Sequence, residues 1–227
     1  MRRVAVLGAT GSIGRSTLDV IQRHPDRYQV KLLSAHRSVD DMEALCRTHQ
    51  PTHAVMGDPD AAAALADRLA DLSAVTVESG AAVLDDLVAE STVDSVVAGI
   101  VGFAGLRPTL SAARAGKTIL LANKEALVSA GGLFMETVRQ GGAILLPVDS
   151  EHNAMHQCLP VASDGRPDMT DVEKIVLTAS GGPFRGRSRS SLDAVTPAEA
   201  CAHPNWSMGQ KISVDSATLA NKGLELA

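Results

Sequence analysis

Short apolar runs alternate with helical patterns along most of this chain, and that alternation restricts its fold more than any other feature. "RVAVLG", "YQVKLLSA", "HAVMG", "AVTVES", "DSVVAGIVG" and "KTILLAN" read as strands. Between them lie helical stretches such as "GRSTLDVIQRH", with Leu18 and Ile21 at helical spacing, "DDMEALCRTHQ", "AAVLDDLVAE" and "RPTLSAARAG". The alanine-rich "PDAAAALADRLADL" reads as a surface helix packed on a sheet. This β-α-β-α order predicts a parallel sheet covered on both faces.

The rhythm changes near residue 145. "DVEKIVLTAS" and "KISVDS" look like further strands, and residues 181–210 between them are rich in Gly, Pro, Ser and Arg. A long irregular stretch of that kind suits a functional flap. The expectation is two domains, 1–145 and 146–227.

"VAVLGATGSIGRSTLDV" sets Gly8, Gly11 and Gly14 between the first strand and the first helix. Glycines there let the backbone approach a phosphate, whose charge meets helix-start N–H groups. The spacing is GxxGxxG rather than GxGxxG, and a tight turn without a ligand would also account for it. Its place at the first turn of a βαβ series favours a dinucleotide. The fold class is therefore α/β: a Rossmann-like doubly wound parallel sheet, followed by a second, α+β catalytic domain. The second strand ends "SAHRS", and Arg37 stands 23 positions after Gly14. An NAD site places an acid near here for the ribose 2′-OH. An arginine and a hydroxyl, Arg37 and Ser38, suit a 2′-phosphate, so NADP is favoured. Asp40 and Asp41 fit the start of the next helix.

"PVDSEHNA" aims Asp149 and Glu151 at one point, two positions apart at the end of an apolar run. On a strand they would share a face. Like charges at one point are costly unless a cation joins them; two solvated loop acids are the plainer reading. "LLANKEALVS" puts Asn123, Lys124 and Glu125 where a strand ends, as ligand contacts or as a capped helix start. In "DSATLANKGLELA" Asp215 and Ser216 read as helix caps, and Asn221, Lys222 and Glu225 share one helical face. His152 and His156 form HxxxH without the glutamate of the zinc-protease helix, and a helix from Asn153 explains them better. Arg185, Arg187 and Arg189 could steer an anion, while a solvated loop accounts for the last two.

Net charge of −5 and 2% aromatic residues argue against a nucleic-acid partner. Three scattered cysteines, Cys46, Cys158 and Cys201, read as reduced thiols. No signal peptide and no membrane-length apolar run is evident, so a cytoplasmic protein without a membrane partner is expected.

Taken together, "GATGSIG", "LANKEALV", "LPVDSEHNA", "TASGGPFR" and "HPNWSMGQKISVDSATLANKGLE" resemble the 1-deoxy-D-xylulose 5-phosphate reductoisomerase family across the whole chain. The resemblance implies conversion of 1-deoxy-D-xylulose 5-phosphate to 2-C-methyl-D-erythritol 4-phosphate in non-mevalonate isoprenoid synthesis. It implies NADPH, a divalent cation (Mg²⁺, Mn²⁺ or Co²⁺), and a homodimer. Thr10, Gly11, Ser12 and Ile13 match contacts to the NADPH pyrophosphate, and His36, Arg37 and Ser38 would meet the adenosine phosphate. Asn123, Glu125 and Gly209 match further cofactor contacts. Asp149, Glu151 and Glu225 match the metal ligands, and with Lys124 form the catalytic set. Lys124, Ser150, Glu151, Ser180, His203, Ser216, Asn221, Lys222 and Glu225 match contacts to the phosphorylated sugar. Trp206 and Met208 would close over it as a water-excluding lid. The family continues into a C-terminal helical domain, so a truncated catalytic domain is expected here. Two other readings stand beside this one: a catalytically silent nucleotide-binding fragment, and a different NADP-dependent enzyme, such as a semialdehyde dehydrogenase, which would need a nucleophilic cysteine.

Overall fold

The computed structural model describes residues 1–162, 167–205 and 209–226. The chain divides into two compact units, Met1–Val148 and Asp149–Ala227.

The first unit runs β1 (Arg2–Leu7), α1 (Ser12–Arg23), β2 (Tyr28–Ala35), α2 (Val39–His49), β3 (His53–Met56), α3 (Pro59–Arg68), β4 (Thr76–Ser79), α4 (Ala81–Ala89), β5 (Ser95–Ala98), α5 (Leu106–Arg114), β6 (Thr118–Leu121), α6 (Glu125–Gly141) and β7 (Ile144–Pro147). The seven strands lie in the order β4-β3-β2-β1-β5-β6-β7, and every pair is parallel. The chain builds outward from β1 to β4, then returns to β1's other side and builds outward again. That reversal between β1 and β5 is where doubly wound sheets bind ligands, beyond the strands' carboxyl ends.

The pleat sends alternate residues to opposite faces. Val4, Val6 and Val97 pack with Leu18, Met42 and Leu65 under α1, α2 and α3. Ala5, Leu7, Val96 and Ala98 pack with Leu84, Leu110 and Phe134 under α4, α5 and α6. Two cores on one sheet explain why the strands are apolar throughout rather than alternating. At the amino ends of the central strands, Arg3 donates to Asp94 from its backbone N at 2.8 Å and from Nε at 3.0 Å. The Arg3 guanidinium holds the Asp94 carboxyl down to about 2.

β7 pairs with β6 from Thr118↔Ile144 to Leu121↔Pro147, and Val148 N donates to Leu121 O at 2.9 Å. Hydrogen bonding thus carries the first unit to Val148, three residues past the expected boundary at 145.

The second unit contains α7 (Ser150–Cys158), α8 (Pro197–Cys201), α9 (Gln210–Thr218) and α10 (Ala220–Leu226). Both strands expected here are absent among the described residues. "KISVDS" lies in α9: Ile212 and Val214, whose spacing suggested a strand, are both exposed, while Ser213 between them is buried and donates to Gly209 O at 3.1 Å. The apolar pair therefore marks no buried face. Residues 172–180 join no strand ladder, and Ile175 and Val176 stand exposed. The last helix does not start at Asp215, which lies inside α9; Leu219, at φ 62, ends α9 and α10 follows. α7 begins at Ser150, not Asn153. No helix among the described residues is long and apolar enough to cross a membrane.

Candidate functional site

The glycine loop is held by steric necessity. Gly8 has φ +75, and a Cβ there would lie 2.7 Å from Gly99 O. A Cβ on Gly14 would lie 2.5 Å from the carbonyl oxygens of both Gly8 and Ala9. A side chain at Gly8 would drive into the turn after β5, and one at Gly14 would push α1 off the loop. Gly11 is the N-cap of α1, no acid occupies that helix's first turn, and Gly11 N donates to Gly8 O at 3.0 Å. Thr10 and Gly11 precede the helix, and Ser12 and Ile13 begin it, with their unpaired amides in the first turn. This arrangement suits an anion.

His36, Arg37 and Ser38 leave the carboxyl end of β2. Arg37 is largely exposed, and its Nε donates to Asp58 Oδ2 at 2.7 Å. The other oxygen of Asp58 caps α3, accepting from Asp60 N at 3.0 Å and Ala61 N at 3.1 Å. The Ala61 amide and then the Arg37 guanidinium hold the Asp58 carboxyl below its usual range. Asp58 was not singled out from the sequence; its position one residue before Pro59 is the signal of a cap. Ser38 takes the N-cap position of α2 without a side-chain capping bond, and Asp40 and Asp41 occupy its first turn.

Asn123, Lys124 and Glu125 follow β6, likewise at the carboxyl ends of the strands. Asn123 is buried; its Nδ2 donates to Ile100 O at 2.5 Å and Gly102 O at 2.6 Å, and its Oδ1 accepts from Ala126 N at 3.3 Å. This one amide holds the first turn of α6 and clamps the loop after β5. Lys124 is buried at the N-cap position of α6, and Glu125 lies in that helix's first turn.

In the second unit, Asp149, Glu151 and Glu225 offer ligand oxygens within 4.8 Å of one another. The strand argument for the first two does not hold, since β7 ends at Pro147. Instead Asp149 is the N-cap of α7 and Glu151 lies in its first turn, where the helix dipole favours carboxylates. Glu225 comes from α10 and is buried. The Lys222 ammonium donates to both Glu151 and Glu225, and Asn221 Nδ2 donates to Glu225 Oε1 at 2.6 Å. Burial pushes the Glu151 carboxyl up, but Lys222 and the Ser150 hydroxyl outweigh it and leave it below its ordinary value. His152 Nε2 lies 3.1 Å from Glu225 O, and its Nδ1 lies 3.6 Å from Asp149 Oδ1. His152 thus joins two arms of the cluster, a role signalled only by its place three residues after Asp149. Three convergent carboxylates are a hard-oxygen donor set that fits Mg²⁺ or Mn²⁺. The ammonium of Lys222 stands in for part of that positive charge.

His203 Nδ1 accepts from Asn205 N at 3.2 Å, so in the neutral ring Nε2 carries the proton and donates to Ser180 Oγ at 3.0 Å. Gly182, at φ +64, brings the "SGG" loop against α9; a Cβ there would lie 2.6 Å from Ser216 O. Gly209 is the N-cap of α9. Trp206 and Met208 lie outside the described residues. Arg187 is an exposed loop residue, and it donates to Glu199 Oε1 at 3.2 Å and Ser191 O at 2.8 Å and stacks over Phe184. Cys46 is buried, which pushes its thiol up to about 12.

The family model described as 1-deoxy-D-xylulose 5-phosphate reductoisomerase matches residues 4–131, and the model of that enzyme's C-terminal domain matches residues 145–227. Curated reductoisomerases of Ralstonia nicotianae and Pseudomonas putida are each 58% identical over all of this chain, which spans 57% of their length. A crystal structure of the reductoisomerase in complex with NADPH, fosmidomycin and magnesium superposes with TM-score 0.92 at 47% identity, covering 100% of this chain and 57% of that one. The Zymomonas mobilis enzyme in complex with NADPH gives 0.87 at 49% identity, covering 99% and 56%. The chain belongs to the 1-deoxy-D-xylulose 5-phosphate reductoisomerase family.

Proposed function

We propose that this chain supplies the NADPH-binding unit and the carboxylate centre of an enzyme converting 1-deoxy-D-xylulose 5-phosphate to 2-C-methyl-D-erythritol 4-phosphate. The observation that carries the reading is the convergence of Asp149 and Glu151 with Glu225, which lies far from them in the sequence.

The reaction rearranges a hydroxyketone to an aldehyde, which hydride from NADPH then reduces. A dication bound to the three carboxylates would polarise the substrate carbonyl and ease loss of a hydroxyl proton. The chain's own groups do the rest. Asp149 and Glu151 are fixed by α7, and Glu225 by Asn221. Lys222 compensates the carboxylates' charge, and once a dication does so its ammonium can turn to an anionic substrate. Ser150, Ser180, His203, Ser216 and Asn221 offer donors suited to hydroxyl and phosphate oxygens. Lys124 offers a cation for developing negative charge. Thr10 to Ile13 would take the pyrophosphate and His36 to Ser38 the adenosine phosphate. Asn123 would serve the cofactor indirectly, by shaping the loop after β5, while Glu125 and Gly209 would contact it. Domain limits of 1–148 and 149–227 describe these two roles, and a cytoplasmic homodimer completes the reading.

The chain's 57% share of its relatives' length favours a second reading, in which it binds nucleotide and cation but turns over only with the remaining length. Loss of NADPH absorbance at 340 nm, measured with substrate and Mg²⁺, tests the function. Substrate-dependent oxidation that stops on chelation supports it. Binding of both ligands without turnover supports the second reading, and binding of neither rejects both.

A further inference from the structure

Arg15 stands one residue after Gly14, and no cofactor role follows for it from the loop motif. Its Nε donates to Thr10 O at 3.1 Å, inside the glycine loop. Its Nη2 lies 2.7 Å from Asp41 Oδ2, in the first turn of α2. The guanidinium therefore spans from the turn after β1 to the turn after β2. In a doubly wound sheet these two turns hold the pyrophosphate and the adenosine ribose, so the group between them faces the ribose 2′ position.

Resting on the nucleotide reading above, we infer that Arg15 is a second specificity-determining residue for the 2′-phosphate of NADPH, working beside Arg37. Two of its five N–H donors are used by Thr10 and Asp41, and three remain in a fork whose plane those bonds fix. Half of the side chain is exposed, so an anion can reach it. The Asp41 pair has a second effect. An acid just past β2 would repel a 2′-phosphate and welcome a 2′-hydroxyl; Arg15 compensates that charge. Arg37 is presented in the same manner, with Nε on Asp58 and its remaining donors outward. Each arginine is thus tied by an aspartate, Arg37 at Nε and Arg15 at Nη2, while its remaining nitrogens stay available.

The test is calorimetric titration of the whole chain and its Arg15→Gln variant with NADPH, NADH, 2′,5′-ADP and 5′-AMP. Charge-assisted contacts to phosphate predict about a tenfold or greater loss for NADPH and 2′,5′-ADP. NADH and 5′-AMP should change by less than about twofold, since they lack the group read. A loss shared by all four ligands would mean that Arg15 only shapes the loop, and would overturn the inference, as would no loss at all. If Arg15→Gln does not fold, Arg15→Lys keeps the charge without the fork, and a smaller loss confined to the two 2′-phosphate ligands is expected. A preference for NADPH over NADH that is undiminished in the variant rejects the role of Arg15 and leaves the nucleotide reading standing. Wild-type failure to bind any of the four rejects the nucleotide reading and this inference together.

Discussion

The Lys222 ammonium donates to the Glu151 carboxylate across 71 positions of sequence, joining α10 to α7. The same nitrogen reaches Glu225, so one cation balances two of three clustered acids. Removing it should leave those charges opposed. Lys222→Met is expected to lower stability in chelator by about 1–3 kcal/mol, toward the low end because the pair is partly solvated. Added Mn²⁺ should restore a part of that loss. Thermal unfolding with and without the ion measures both effects; equal loss in the two conditions would show that Lys222 does not neutralise the cation site.

Glu151→Gln removes a charged ligand while keeping the shape of the side chain. Manganese affinity should fall by about a hundredfold or more, and turnover should nearly vanish wherever the enzyme is active. NADPH affinity should stay unchanged, because its determinants, Gly209 apart, lie in the first unit. Calorimetry with each ligand separately checks this, and full Mn²⁺ binding by the variant would sink the three-carboxylate assignment.

Gly14→Ala places a methyl group against the Gly8 and Ala9 carbonyls. The expected outcome is a loss of about 1–3 kcal/mol of stability from overpacking. A nucleotide affinity at least about tenfold weaker should accompany it, since the loop and α1 must part. Mn²⁺ binding should be unaffected, and a titration of both ligands separates the two.

The Arg3–Asp94 pair predicts an acid-side signature. Asp94 has a folded pKa near 2, below its unfolded value near 4, so its contribution is present above pH 4 and lost as pH falls toward 2. Wild type should exceed Asp94→Asn by on the order of 1 kcal/mol at pH 7, discounted for partial exposure. Denaturant unfolding at pH 7 and at pH 3 should show that gap narrowing at the lower value.

Leu219 is a non-glycine residue at φ 62 and is largely exposed. Leu219→Gly should relieve left-handed strain, raising stability by up to about 1 kcal/mol with little apolar contact forfeited. A fall in melting temperature would show that the leucine side chain packs usefully after all.

The first unit was legible because both of its signals are local. Apolar runs such as "RVAVL" are strands buried on two faces, and Gly8 and Gly14 announce a turn that no side chain tolerates. The second unit was harder to read. Ile212 and Val214 imitate a strand, yet α9 takes them with Ser213 inward, because hydrophobic spacing speaks only where a face is buried. Asp149 and Glu151 were paired for a wrong local reason: a helix start, not a strand face, sets them together. Glu225 was reachable by helical spacing with Asn221 and Lys222, but its meeting with Asp149 is tertiary and no spacing rule contains it. Asp58, and the tie of His152 to the carboxylates, were missed because each works through a neighbour.

Glu225 enters the cluster from a helix that begins only at Ala220. During synthesis, Asp149 and Glu151 leave the ribosome long before their third companion. A nascent chain can therefore complete its nucleotide unit while still unable to grip a dication tightly. Capture of the ion would come late, after the nucleotide unit has formed, rather than as a seed for folding.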